Sequence, residues 1–189
     1  MEPKTIRLAT REELNIYMSP VRQELLRTLR LSDGPMTPKA LADKLKISPS
    51  SVQHHLKKLL SLGVVEVDHQ SVINGITATY YRETRAMVQI GLERGDDLRE
   101  EREAVVTAMV DRALRGLLER TRTVPPELPM EERMKYATLM NGIAHLSPKE
   151  RAELTVLIDK FLLAHDAPAP DRSERWEYVL LAYRPEAEL

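Results

Sequence analysis

Cysteine is absent from the 189 residues. Disulfides, zinc ribbons, iron–sulfur clusters and thiolate nucleophiles are thereby excluded, and a reducing compartment is the simplest setting. Aromatic residues are scarce at 4%, with one Trp and one Phe, whereas Leu occurs 27 times, so a helical core filled by aliphatic side chains is expected. No apolar run approaches the roughly 20 residues that a membrane-spanning helix needs. The opening stretch MEPKTIRLATREEL is charged from its second residue and has no apolar signal core. A soluble, cytoplasmic protein with no membrane partner is expected. A large excess of either charge is also missing: Lys+Arg number 28 against 29 Asp+Glu, a net charge of −1, which excludes a polycationic nucleic-acid coat. No Gly-rich phosphate loop, Gly-x-Ser-x-Gly elbow or His-Glu-x-x-His helix occurs. No enzyme, no catalytic residue and no cofactor are therefore expected.

The charge that is present is unevenly placed. Residues 1–85 hold 13 Lys+Arg against 9 Asp+Glu, and residues 86–189 hold 15 against 20. Between 37 and 62, five lysines (Lys39, Lys44, Lys46, Lys57 and Lys58) face one acid, Asp43. A basic head on an acidic body can meet a polyanion through one face.

Helix signals punctuate the first 85 residues. Thr10 with Glu13 forms a capping box that predicts a helix over 11–18. Ser19-Pro20, Thr37-Pro38 and Ser48-Pro49 each place a capping residue before a proline suited to the first helical position. They open helices carrying Val21, Leu25, Leu26 and Leu29, then Ala40, Leu41 and Leu45, then Val52, Leu56, Leu59 and Leu60. Gly63 closes the last. The tight turn at Lys46-Ile47 forces the second and third of these helices to cross steeply, as in a helix-turn-helix. Val64–Val67 and Ile76–Tyr81 then read as strands. Asn74-Gly75 predicts a two-residue hairpin turn that pairs Ile73 with Ile76 and His69 with Tyr80. Helices followed by a hairpin make a winged helix.

At 100° per residue, Ser50, Ser51, His54, Lys57, Lys58 and Ser61 fall opposite the apolar stripe of the helix over 49–62, with Gln53 and His55 at its margins. This face has hydroxyls, an imidazole and two ammonium groups and no acid, and one helix fits a major groove about 12 Å wide. Lys39, Lys44, Lys57 and Lys58 are candidate phosphate contacts. Ser50, Ser51, Gln53 and His54 are candidate base readers. Thr37 and Ser48 at the helix starts and Arg82 on the wing complete the candidate DNA-binding residues. His54 and His55 point about 100° apart and cannot chelate one ion together, so no metal site is expected.

The segments MSPVRQELLRTL, LADKLKISPSSVQHHLKKLLSLGVVEV and NGITATYYR resemble the winged helix-turn-helix of arsenic-repressor (ArsR)-type bacterial regulators over about residues 12–85. The resemblance implies a homodimer that binds an inverted-repeat operator in double-stranded DNA, with the helix over 49–62 in successive major grooves. Two departures bear on this. Without cysteine, thiolate-based metalloid sensing cannot occur. The wing tip, Gln70, Ser71, Asn74 and Gly75, lacks the Arg or Lys that commonly reaches the minor groove; His69 and Arg82 are the nearest cations.

The second half shows no family signature. The fold class expected for the whole chain is mainly α with a small β-hairpin wing: a DNA-binding domain over 1–85, a helical linker and dimerisation region over 86–122, and a helical C-terminal region over 123–189. Met87, Val88, Ile90 and Leu92 read as a helix continuing from the wing. Gly95-Asp96-Asp97 marks a break, after which a helix of about 37 Å is expected over 97–121. Its apolar residues project over about 220°, more than one partner needs. Val106, Met109, Val110, Ala113 and Leu117 are the candidate dimerisation residues, and a central helix in a monomer is the alternative. Met130–His145 and Ser147–Ala164 read as helices, the latter opened by a capping box, and Ala167–Pro170 reads as a linker. Trp176–Tyr183 reads as a strand that pairs with Thr5–Leu8 or with its twin. Met109, Met130, Met134 and Met140 could line a small-molecule effector pocket or simply fill the core. His165 suits a structural role at a helix C-terminus. The alternative to a dimeric DNA-binding repressor is a winged helix used as a protein-interaction module.

Overall fold

The computed structural model describes residues 4–73, 75–84, 86–165 and 174–185. Among them, the first compact unit, Met1–Ala108, is a winged helix. Strand β1 (Lys4–Arg7) leads into α1 (Arg11–Met18), α2 (Pro20–Arg30), α3 (Pro38–Leu45) and α4 (Pro49–Leu62). The hairpin strands β2 (Val65–Ile73) and β3 (Ile76–Glu83) and a short β4 (Ala86–Gln89) follow.

Local chemistry sets each boundary. At Thr10 the capping box closes as expected: its hydroxyl accepts from the Glu13 N–H, while the Glu13 carboxylate accepts from the backbone of Thr10 and Ala9. Those backbone donors hold the Glu13 carboxyl below its ordinary range. Thr37 accepts from the Ala40 N–H at 3.2 Å and Ser48 from the Ser51 N–H at 3.1 Å. Ser19 precedes α2 without a side-chain cap bond. Gly63 ends α4 at φ 73°, where a Cβ would be strained.

The core is aliphatic, as the composition predicts. Leu14, Leu25, Leu26, Leu41, Val52, Leu56, Leu59, Val64 and Val65 are buried, and α4 packs against α1, α2, α3 and β2. Val21 lies outside this core, and Leu45 and Leu60 are only half-buried. Gln23 is buried in their midst and donates to the Tyr17 carbonyl at 2.7 Å.

The hairpin has the expected pairs, Ile73 with Ile76 and His69 with Tyr80. A register shift between Val67 and His69 accommodates one extra residue, Asp68. Asn74 lies outside the described residues. A bridge between Met36 and Tyr81 ties the wing to the loop before α3, through N–H to carbonyl bonds of 2.8 and 2.9 Å.

Where the chain leaves the wing, expectation and structure differ. Residues 86–89 form β4, parallel to β1 with Ile6 opposite Val88, not a helix. Thr5–Arg7 therefore pairs with β4, and residues 174–185 contain no strand. The reason is spacing: Met87, exposed, and Val88, half-buried, alternate as in a strand, and β1 offers them a backbone edge.

Helix α5 (Arg99–Thr123) follows, and the chain divides within it into Met1–Ala108 and Met109–Leu189. At its start Arg102 is wholly buried and forms a two-pronged ion pair with Asp96, one Nη2–Oδ2 bond being 2.8 Å. The second unit contains α6, only Met130–Arg133, and α7 (Pro148–Ala164). The helix expected over 130–145 thus stops after one turn. Met134, Leu139, Met140 and Ile143 stand exposed, so no packing supports further turns, and Asn141-Gly142 disfavours them. Ser147 and Glu150 close the expected capping box, and the His165 imidazole, 2.6 Å from the Phe161 carbonyl, closes the other end of α7. Residues 167–170 lie outside the described residues. No described helix is long and apolar enough to cross a membrane.

Candidate nucleic-acid interface

The helix-turn-helix is α3, the turn at Lys46 and Ile47, and α4. Lys46 takes the left-handed conformation at φ 55°, and its N–H donates to the Ala42 carbonyl. That single positive φ reverses the chain between the two helices. Val52, Leu56 and Leu59 then anchor α4 to the core and fix which side faces outward.

Ser50, Gln53, His54, Lys57 and Ser61 are exposed along the outward side, while Ser51 and Lys58 are half-buried. The two histidines separate: their rings meet edge to face with centroids 5.5 Å apart. His54 points to solvent. His55 turns towards α2, with Nδ1 3.5 Å from Arg22 Nη1. Arg22 also donates to the carbonyls of Ile16 and Asn15, joining the end of α1 to α2 and α4. Partial burial, the Arg22 cation and His54 together push the His55 pKa down. A guanidinium can only donate, so in this contact His55 Nδ1 can take part only as an acceptor. Among the described residues no group of three His, Asp or Glu could hold a metal.

The lysines are not equivalent. Lys57 and Lys44 are exposed and have no acid partner among the described residues. Lys39 faces Asp43 at 3.4 Å in an exposed pair of one helical turn, weak enough for a phosphate to displace. Lys58 lies 3.6 Å from Glu12 of α1, so part of its charge is answered within the fold. Lys46, exposed beside Ser48, completes the cationic edge at the turn; the lysine cluster contained it, but only its left-handed backbone shows that it stands out from the helix pair. The Thr37 and Ser48 hydroxyl oxygens are occupied as helix caps, and Ser48 also meets the Ser50 hydroxyl at 3.0 Å. Such hydroxyls still carry a proton to donate.

Arg82 is exposed on β3. It pairs with Glu66 at 2.7 Å and Asp68 at 3.1 Å. His69 lies 2.6 Å from Asp68 and stacks on Tyr80 at 4.3 Å between ring centroids. Arg82 is thus answered by two acids of β2, and His69 lies against one of them. The tip instead exposes Val72 and Ile76, at 72% and 73%. The sequence shows the bare tip; the neutralised base comes only with the strand register that sets Arg82 opposite Glu66.

Of the residues considered for dimerisation, Val106, Met109, Val110, Ala113 and Leu117 are half-buried along α5, with Leu114 and Leu118 exposed beside them. Met130, Met134 and Met140 are exposed, and Met109 is half-buried.

Residues 17–68 match a family model described as a helix-turn-helix domain. No curated protein matches the chain. Among solved structures, one described as a possible transcriptional regulator from Methanosarcina mazei Go1 is similar at 20% identity and a TM-score of 0.33, over 55% of this chain and 80% of that one. The matched residues run from the end of α1 into β2. They contain the helix pair and all five lysines of the exposed edge, Lys39, Lys44, Lys46, Lys57 and Lys58, so the first unit carries a helix-turn-helix domain in a winged-helix frame.

Proposed function

We propose that the protein is a DNA-binding transcriptional regulator, a repressor of the arsenic-repressor type without its cysteine chemistry, that grips an operator as a homodimer in the cytoplasm and performs no catalysis. The observation that carries this reading is the acid-free outer side of α4, held outward by Val52, Leu56 and Leu59. Lys57, Lys44 and Lys46 supply phosphate contacts, with Lys39 and Lys58 released from their carboxylates as DNA arrives. Ser50, Ser51, Gln53 and His54 reach base edges. The half-buried apolar side of α5 holds the second copy.

A gel shift with DNA fragments from upstream of the protein's own gene tests the reading. His54→Ala or Gln53→Ala is expected to lose about 1–3 kcal/mol of preference at one or two base pairs. An unchanged ranking of operator variants would remove these residues as base readers. The exposed Val72 and Ile76 and the neutralised wing favour one other reading, a protein-interaction module. That reading prevails if the folded protein shifts no fragment even at low salt.

A further inference from the structure

We propose that the side of α7 bearing Glu153, Val156, Leu157 and Lys160 is a self-docking surface, covered by the same helix of a second copy lying antiparallel. This inference does not depend on DNA binding. Val156 and Leu157 at mid-helix are 50% and 65% exposed, Leu154, Phe161 and Leu163 on the flanking sides are exposed as well, and only Ile158, Asp159 and Leu162 are half-buried. The helix therefore leaves most of its apolar side chains to water, which is unfavourable, and the charges decide which side a partner covers.

Charge identifies the occupant. Glu153 and Lys160 are seven residues apart and project only about 20° from one another, with Val156 and Leu157 about 50° to either side of their common line. The midpoint between Glu153 and Lys160 falls between Val156 and Leu157, within one residue of the centre of Pro148–Ala164. A two-fold axis through that point overlaps two copies along nearly their whole length. Glu153 then faces Lys160 of the partner subunit, and the reverse pair forms at the same time. Val156 meets Val156 of the partner subunit, and Leu157 meets Leu157 of the partner subunit. Lys149, loosely paired with Glu153 at 3.8 Å, approaches the partner's helix C-terminus, where the carbonyl dipoles favour a cation. A parallel arrangement would set Glu153 against itself and Lys160 against itself. A helix of one charge sign would satisfy only half of the line, whereas a second copy satisfies all of it.

Sedimentation of the full chain over a range of concentrations tests this. Glu153→Lys and Lys160→Glu are each expected to weaken self-association about tenfold. The double variant, and an equimolar mixture of the two single variants, are expected to return to within about twofold of the original protein. Single reversals without effect, or a double variant as weak as the singles, would overturn the proposal. Because the chain has no cysteine, Val156→Cys gives an independent measure if a charge reversal unfolds the protein. With copper-catalysed dissolved oxygen as the oxidant, it is expected to form a disulfide-linked dimer faster than Thr155→Cys, which is equally exposed but on the opposite side, and equal rates would overturn the proposal. Gel shift on the same variants reads DNA binding separately.

Discussion

Single side chains in this domain divide into those left exposed to solvent and those spent on the fold. Lys57 belongs to the first group. Lys57→Ala is expected to weaken binding to all DNA sequences alike and to flatten the slope of log affinity against log salt by about 0.9; a salt titration measures this. Arg102 belongs to the second. Its guanidinium is wholly buried, and its Nε has no hydrogen-bond partner, so the pair with Asp96 is what compensates its charge. The hydrogen bond from Arg102 lowers the Asp96 pKa from 3.8 to about 2. A depressed carboxyl stabilises the fold above its ordinary pKa, and that contribution disappears as pH falls towards 2. Asp96→Asn is thus expected to lower Tm at pH 6, with the gap from the original protein closing at pH 2 to 3. The directions these two side chains take were not equally readable. Lys57 lies on a helix whose polar side follows from periodicity. Arg102 sits in the run Arg99-Glu100-Glu101-Arg102-Glu103, which reads as a solvated face, and nothing local shows that one arginine of it turns inward.

Elements whose limits are written in neighbouring residues were legible, and those that depend on distant partners were not. Thr37-Pro38, Ser48-Pro49 and Gly63 place α3 and α4 from sequence alone, because a cap bonds only within its own turn. The register of β2 with β3 follows from the two-residue turn, although Asp68 adds a bulge that no pattern announced. In contrast, β1 and β4 join residues 82 apart, such as Arg7 and Gln89. Met87 and Val88 therefore looked helical until their partner strand was known. The residues after Arg133 failed in the opposite way: their helical spacing is genuine, but no neighbour covers them. At this scale the anchor of α4 is testable. Leu56 is 1% exposed, and Leu56→Ala is expected to cost about 2–5 kcal/mol in denaturant unfolding. Ser48→Ala, which removes one cap bond, is expected to cost about 1 kcal/mol.

At the scale of the whole molecule, the proposed reading rests on three surfaces: the outer side of α4 for DNA, and the apolar sides of α5 and α7 for a second copy. An operator read by two copies places its half-sites about one helical turn, or 34–36 Å, apart. Leu117→Glu on α5 is expected to give a smaller species in sedimentation and to weaken binding to a full operator much more than to a single half-site. The candidate DNA contacts were legible because they lie within one short, strongly punctuated stretch. A surface for a second copy is less legible, since an apolar stripe has the same appearance whether its cover is the same chain or another.

The wing is fastened at its root. Met36 bridges to Tyr81, Arg30 clasps Glu83, and the Thr84 hydroxyl donates to the Gly63 carbonyl at 2.7 Å, so the hairpin is joined to α2, to the loop before α3 and to the cap of α4. A push on the projecting Val72 and Ile76 would therefore be carried through these fastenings to α4 itself, as a crank turns its shaft.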